Sequence, residues 1–348
     1  MRITAKAPCR VDLAGGTLDI WPLYLYHPGA VTVNFAVDRY ASCVLEARGD
    51  GRIALSSGDL HREETFDSRD ALAAAASYRL PLLACVVRFF APRTGLTLRT
   101  HSEAPAGAGI AGSSALIIAL ASALNRLTGA GYRRERIREI AQNVEAQIIR
   151  VPTGCQDYYP ALYGGVSAIE LRVDGIVRKP IQVDLDDFNQ RLVLAYTGVP
   201  RDSGINNWEV TKAHIDGERG VRRNFERIAA IARAMRAALE RADWAEAGRL
   251  LGEEWAHRRK NAPGITTPLI DRLVAATRRA GALGAKVCGA GGGGCVLFLV
   301  ERGAKGRVEQ VIAREGAQVL PVCVAPAGVR VRVRAEPAGP ERCARMLS

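Results

Sequence analysis

An α+β fold in two subdomains is predicted by the order of elements along the chain. Strand-like segments fill most of the first hundred residues, helix-like segments dominate the middle, and strands alternate with helices again towards the C-terminus. The break falls near residue 187, which divides the chain into residues 1–187 and 188–348. At 348 residues there is enough chain to build a substantial core in each part.

Residues 30–36 (Ala-Val-Thr-Val-Asn-Phe-Ala) and 41–47 (Ala-Ser-Cys-Val-Leu-Glu-Ala) alternate or run apolar, and predict two strands. Residues 52–56 and 95–100 predict two more. The Ala- and Leu-rich stretch 68–91 predicts a helix. Ser113–Leu127 is a second helix, with a serine at its start to cap it. Residues 133–149 form a third, because Ile137, Ile140, Ala141, Val144 and Ile148 recur at helical spacing, and Pro152 and Gly154 end it. Strands follow at 166–171 and 191–196. Residues 220–251 and 267–280 are helical, 286–300 is a strand pair around a glycine run, 306–315 is a helix and 329–334 a last strand.

The net charge of +12 is compatible with nucleic acid or with an anionic small molecule. The basic residues form no long run, and the sparse aromatics do not alternate with them, so a nucleic-acid partner is not expected. The eight cysteines include no C-x-x-C pair, and the five histidines show no i, i+4 pairing, so neither a zinc site nor a disulfide framework is expected. There is no apolar leader at the N-terminus and no apolar run of about 18 residues. The expected location is the cytoplasm, without membrane association.

Three glycine-rich segments carry the chemistry. The first, residues 7–19, is a short strand holding Arg10 and Asp12 that ends in Gly15-Gly16-Thr17 and then Asp19. The second, residues 105–115 (Pro-Ala-Gly-Ala-Gly-Ile-Ala-Gly-Ser-Ser-Ala), runs directly into a helix. Glycines at that place let backbone N–H groups turn inward, and the helix N-terminus adds partial positive charge, so the segment is a candidate anion cradle. It is not a Walker A loop, because Ser113 stands where lysine is required. It is not a dinucleotide fingerprint either. The residues leading into its glycines, 101–105 (His-Ser-Glu-Ala-Pro), do not read as a buried strand, and the acid near the expected distance, Glu135, lies inside a helix candidate. The third segment, 289–294, has five glycines in six positions, more than a hairpin needs, and predicts close approach of its backbone to a ligand or a loop.

In this order and at these distances, the three segments resemble the signature motifs of the GHMP kinases. The second is similar to Pro-x-x-x-Gly-Leu-Gly-Ser-Ser-Ala, with one residue more. The third is similar to Lys-x-x-Gly-Ala-Gly-Gly-Gly-Gly, from Lys286 to Gly294. Arg10 to Asp19, residues 153–159 and residues 196–203 are similar to the sugar-kinase branch that holds D-glycero-D-manno-heptose 7-phosphate kinases, L-fucose kinases and galactokinases. Leu18 stands where that branch usually has threonine.

The resemblance implies the two-subdomain GHMP kinase fold, with an N-terminal part like domain 2 of ribosomal protein S5 and a ferredoxin-like C-terminal part. It implies ATP and Mg²⁺, and a small sugar or sugar phosphate as partner to a monomer or homodimer. Pro105, Gly107, Gly109, Gly112, Ser113 and Ser114 would hold ATP, and Ser114 with Glu145 would hold the metal. Asp157 would face the acceptor hydroxyl as base, with Arg10 beside it to steady the transferring charge. Asp19 would contact the sugar, with Gly16, Thr17, Gly154, Gly291 and Gly292 around it. The expected reaction is phosphorylation of the anomeric hydroxyl, with heptose 7-phosphate first and a free sugar such as L-fucose or galactose second. A cluster of Arg or Lys at the far end of the sugar pocket, with Arg201 and Lys212 as possible members, would separate the two. A non-catalytic sugar or nucleotide sensor on the same fold is the remaining alternative, and would be expected to lack Asp157 or Arg10.

Overall fold

The computed structural model describes residues 1–200, 204–289 and 291–334, with the backbone alone at 204–206. Two sheets organise the described residues. The larger contains β1 (Arg2–Ala14), β2 (Val31–Arg48), β3 (Ile53–Ser57), β4 (Arg62–Phe66), β5 (Gly95–Ser102), β6 (Val166–Arg172), β7 (Gly175–Ile181) and β12 (Arg330–Arg334). Its order is β12-β1-β2-β5-β3-β4, while β6 pairs with the first part of β2 and with β7. Its pairings are antiparallel except β3 with β5. The smaller sheet runs β11 (Gln318–Leu320), β8 (Leu192–Tyr196), β10 (Cys295–Val300) and β9 (Ala282–Val287), all antiparallel.

The helices are α1 (Arg69–Ala74), α2 (Pro81–Phe90), α3 (Gly112–Thr128), α4 (Arg134–Ile149), α5 (Tyr158–Tyr163), α6 (Leu185–Gln190), α7 (Gly204–Ile215), α8 (Arg219–Glu240), α9 (Trp244–Arg258), α10 (Pro268–Arg278) and α11 (Lys305–Arg314). Around the smaller sheet the series β8, helices, β9, β10, α11, β11 is a β-α-β-β-α-β unit. None of the described helices is long and apolar enough to cross a membrane.

The boundary expected at 187 falls in α6, between the two sheets, but β12 crosses back to pair with β1 in the first sheet. The strands expected at 30–36 and 41–47 are one strand, β2. A bulge opposite Pro8 and Cys9 shifts its register, so β6 lies beside the first part and β5 beside the second. The helix expected over 68–91 is two, because Pro81 starts α2 and cannot sit inside a helix. The helix expected over 220–251 is also two. Ala242 takes a left-handed φ of 53°, and the Asp243 carboxylate then caps α9 by accepting from Glu246 N (3.0 Å).

The main core draws on both halves: Val11, Phe35 and Leu120 share it with Met235, Leu251 and Leu297. In α3, Ile117, Ile118, Leu120 and Leu124 are buried, each worth roughly 1.5–3 kcal/mol. That packing against β1 and β2 fixes where the N-terminus of α3 points.

Candidate active site

A cleft of 470 Å³ opens where the second half of β1, the loop before α3, the α4–α5 connection and the β9–β10 turn converge. Residues 104–114 form one wall. Gly107, Gly109 and Ala111 all have positive φ (67°, 78° and 57°), a run that curls the backbone round before α3 begins at Gly112. The first-turn N–H groups at Ser113 and Ser114 have no partner in their own helix, and the helix dipole adds to their pull on an anion. The curl is pinned to β1, since Arg10 N donates to Ile110 O (3.0 Å) and Arg10 Nη1 to Gly109 O (2.8 Å).

Arg10 Nε also donates to Asp157 Oδ1 (2.7 Å). The arginine is buried, while the Asp157 side chain keeps 28% exposure into the cleft, so the carboxylate is held yet reachable. Burial opposes the Arg10 charge, but Asp157 and Asp12 outweigh it and raise its pKa. Behind Arg10 the charges alternate. Asp12 Oδ1 lies 3.8 Å from Arg10 Nη1 and accepts from Gly289 N (3.2 Å), while Asp12 Oδ2 pairs with Lys286. Lys286 is 4.0 Å from Glu254, which pairs with Arg258. Arg258 reaches on to Thr17 Oγ1 (3.1 Å) and Gly16 O (2.8 Å). Burial works against the Asp12 charge, yet Lys286, Arg10 and Arg258 hold its carboxyl far below the usual range.

Asp19 enters from the turn after β1. Its Oδ2 accepts from Gln156 N (2.8 Å). Burial, and then the nearby Asp157 charge, push its pKa up to about 6. Gln156 is held by Asn34 Nδ2, which donates to its carbonyl (3.2 Å), and Gln156 Oε1 has no partner among the described residues. Gly154 packs directly on Asp19; a Cβ there would overlap the carboxylate, 2.5 Å from its Cγ. Gly154→Ala is therefore expected to destabilise the fold by about 1–3 kcal/mol in a urea titration, through forced displacement of Asp19. Unchanged stability would mean that the loop yields freely.

Glu145, on α4, accepts from Ser113 Oγ (2.7 Å), Ser114 Oγ (3.0 Å) and Tyr158 OH (2.6 Å). Burial raises its pKa despite those hydroxyls. A carboxylate and a hydroxyl at the mouth of an anion cradle are hard oxygen donors suited to Mg²⁺. Among the described residues no group of three or more His, Cys, Asp or Glu is placed to hold a metal by itself.

Two family descriptions match this chain: GHMP kinases N terminal domain over residues 81–165, and GHMP kinases C terminal over residues 235–318. The chain belongs to the GHMP kinases. It is an ATP-dependent phosphotransferase with an alcohol group as acceptor. A D-glycero-alpha-D-manno-heptose 7-phosphate kinase from Campylobacter jejuni is 25% identical, over 94% of this chain and 98% of its own. A Streptomyces coelicolor galactokinase is 26% identical, over 85% and 84%. Among solved structures, a D-glycero-D-manno-heptose 1-phosphate kinase from Bacteroides thetaiotaomicron superimposes with a TM-score of 0.77 at 23% identity, over 96% of this chain and 100% of that one, a likeness of fold.

In this GHMP kinase the cleft brings together Arg10, Gly16, Thr17, Asp19, Pro105, Gly107, Gly109, Gly112, Ser113, Ser114, Glu145, Gly154 and Asp157. Gly291 and Gly292 are not in its lining. A Cβ on Gly291 would stand 2.5 Å from Ile265 O, and Gly292 N donates to that same carbonyl (2.8 Å), so both pack on the 264–265 turn. Gly294 and Cys295 lie instead against Ala108, part of the cradle. Of the two cations considered for an acceptor phosphate, Lys212 pairs with Asp216, just past the end of its helix, and Arg201 lies outside the described residues. Glu135 takes the hydroxyls of Tyr159 (3.1 Å) and Tyr163 (2.7 Å), a structural use. The sequence named Asp12 and Lys286 only as members of motifs and did not single out Gln156, Glu254 or Arg258; the structure joins all five in a charged and polar support. The spacing of Glu254 and Arg258, i to i+4 on a helix, was the one local signal for it.

Proposed function

We propose that this kinase transfers the γ-phosphoryl group of ATP to the anomeric hydroxyl of a sugar, with D-glycero-D-manno-heptose 7-phosphate as first candidate. The observation that carries the proposal is the Arg10–Asp157 pair at 2.7 Å, set between an anion cradle and the Asp19–Gln156 pair. Phosphoryl transfer needs positioning and charge neutralisation more than covalent chemistry from the protein. The amides of residues 107–114 would hold the triphosphate, and the apolar wall that includes Leu60, Leu82 and Ile149 suits a purine. Ser114 and Glu145 would hold Mg²⁺, which supplies neutralisation of the phosphate charge. Asp157 would orient the acceptor hydroxyl and take its proton, while Arg10 fixes that carboxylate. Asp19 and the free Gln156 Oε1 would accept hydrogen bonds from the remaining sugar hydroxyls. The match to the Campylobacter jejuni heptose 7-phosphate kinase over nearly its whole length supports the first candidate.

An unphosphorylated sugar is the second candidate, favoured by the state of the cations. The two arginines in the described lining, Arg10 and Arg258, are both already paired with carboxylates. An ATP-consumption screen over free and phosphorylated sugars, with the product position read by NMR, decides between the two. Product phosphorylated away from C1, or no sugar-dependent ATP consumption, would remove the anomeric assignment or the sugar acceptor respectively.

The pKa of Asp19 gives a pH dependence with a definite sign. Raised to about 6, the carboxyl becomes protonated as pH falls through that value and loses hydrogen-bond acceptor capacity. KM for the acceptor is expected to rise below about pH 6 while KM for ATP holds, and Asp19→Asn is expected to flatten that profile. A profile that survives in Asp19→Asn would move the titration to another group. The stability sign is opposite to that of a salt-bridged acid: the native state holds the proton longer, so this group's contribution falls as pH rises from its ordinary range to about 6.

A further inference from the structure

A second pocket, of 310 Å³, adjoins the acceptor end of the cleft. Three segments lead from one into the other. Asp19 lines the cleft and Trp21 the second pocket; Asn207 lines the cleft and Trp208 the pocket; Pro152 and Thr153 line both. The common wall is fixed, because Gln142 Nε2 donates to Thr153 O (3.0 Å) while its Oε1 accepts from Arg138 (2.7 Å).

The chemistry of this pocket differs from that of the cleft. No charged side chain is among its described lining residues. It presents two exposed indoles, Trp21 at 66% and Trp208 at 45% exposure. The exposed Asn143 and the buried Thr211 line it as well. Thr211 is 2% exposed, and its hydroxyl has no partner among the described residues. A buried hydroxyl without a partner costs stability unless a ligand supplies one.

A neutral cavity with indole faces and scattered amide and hydroxyl groups is poorly suited to a phosphate or a nucleotide, which need cations. Its volume is small for a helix of another protein and ample for one ring. A pyranose ring has an apolar C–H face that lies on indole, and hydroxyls at its edge for amides and Thr211. We propose that this pocket is a second carbohydrate subsite, which takes an uncharged sugar ring linked to the ring that is phosphorylated. The proposal rests on the sugar-acceptor assignment, in its unphosphorylated form, and adds to it that the acceptor extends beyond one ring.

The test is calorimetric titration of the full chain with lactose, maltose and mannobiose, against glucose and mannose as their reducing-end rings. At least one disaccharide is expected to bind about tenfold tighter than its reducing-end monosaccharide. Trp208→Ala is expected to abolish that gain and to leave monosaccharide and ATP affinity unchanged. Trp208→Phe, which keeps an aromatic face, should retain part of it. Trp208 is exposed, and an unchanged thermal midpoint in both variants establishes that they fold. Disaccharides that bind no better than their single rings, or a Trp208→Ala effect equal on both, overturn the subsite. Sugar-dependent ATP consumption in the same samples separates the outcomes. If turnover on a single ring persists while the disaccharide gain is absent, the subsite fails and the sugar kinase stands. If neither is seen, the unphosphorylated-sugar reading fails and the subsite with it.

Discussion

Replacement of Asp157 by alanine is expected to lower kcat by about 10²–10⁴-fold, the usual contribution of a positioned general base, with KM for ATP unchanged. The split follows from the geometry. Arg10 reaches Asp157 through Nε and the cradle through Nη1, which donates to Gly109 O at 2.8 Å, so loss of the carboxylate leaves the second contact in place. The cradle is held further by Arg10 N on Ile110 O, a backbone bond that no side-chain change at 157 touches. Asp157→Asn separates the two tasks assigned to this residue. An amide can still accept from Arg10 Nε and hold position, but it cannot take a proton. If the asparagine variant is as slow as the alanine variant, proton transfer or negative charge is the contribution. If it recovers most of the rate, Asp157 only orients the hydroxyl. Steady-state kinetics of both variants, with nucleotide binding measured separately by titration, supply the comparison. A kcat within about tenfold of the parent in Asp157→Ala would remove the residue from the base role.

Both the elements and the cradle were legible for local reasons. The glycines of 107–112 announce positive φ directly, and Gly107 and Gly109 adopt it. The spacing of Ile137, Ile140, Ala141 and Val144 is helical whatever the rest of the chain does, and α4 follows it within a residue. Where local signals were misread, a longer-range partner decided. Asp38 and Arg39 interrupt the apolar pattern of β2 because they bulge out of register, with no partners between Pro8 and Cys9 in β1. The break before α9 was written locally as Asp243 and Glu246, a cap signature inside an otherwise continuous helical composition, and composition hid it. The Gly291–Gly292 pair illustrates the ambiguity of glycine itself. The sequence demands close approach there, and the approach is to the turn at Ile265 rather than to the cleft. Of the buried charges, only Glu254 and Arg258 were legible, through their i to i+4 spacing. Lys286 and Asp12 are 274 residues apart, and nothing near either position states that its partner has the opposite sign.

That pair supports the last expected result. Lys286→Met should destabilise the protein by about 3–5 kcal/mol, the usual cost of removing one partner from a buried ion pair, and lower kcat as well. Both partners are almost wholly buried, Lys286 at 0% and Asp12 at 1%, so water cannot replace the lost contact. Methionine fills much of the lysine volume, which limits the cavity contribution and isolates the charge. Asp12 then keeps Gly289 N, the more distant Arg10 at 3.8 Å and the charge of Arg258, without its direct ion-pair partner. Its unbalanced carboxylate competes with Asp157 for the same guanidinium and draws Arg10 away from the cleft, which is why activity should fall together with stability. Asp12→Asn placed on top of Lys286→Met removes the competing charge. The double variant is expected to be more stable than Lys286→Met alone, with a coupling energy of about 1–3 kcal/mol in a double-mutant cycle followed by denaturant unfolding. Purely additive losses would show that the two side chains are neighbours without energetic dependence, and that Arg10 is aligned by Gly109 and Asp157 alone. A coupled loss of stability with full kcat retained would instead separate the buried network from the reaction and confine its task to joining α9 and β9 to β1.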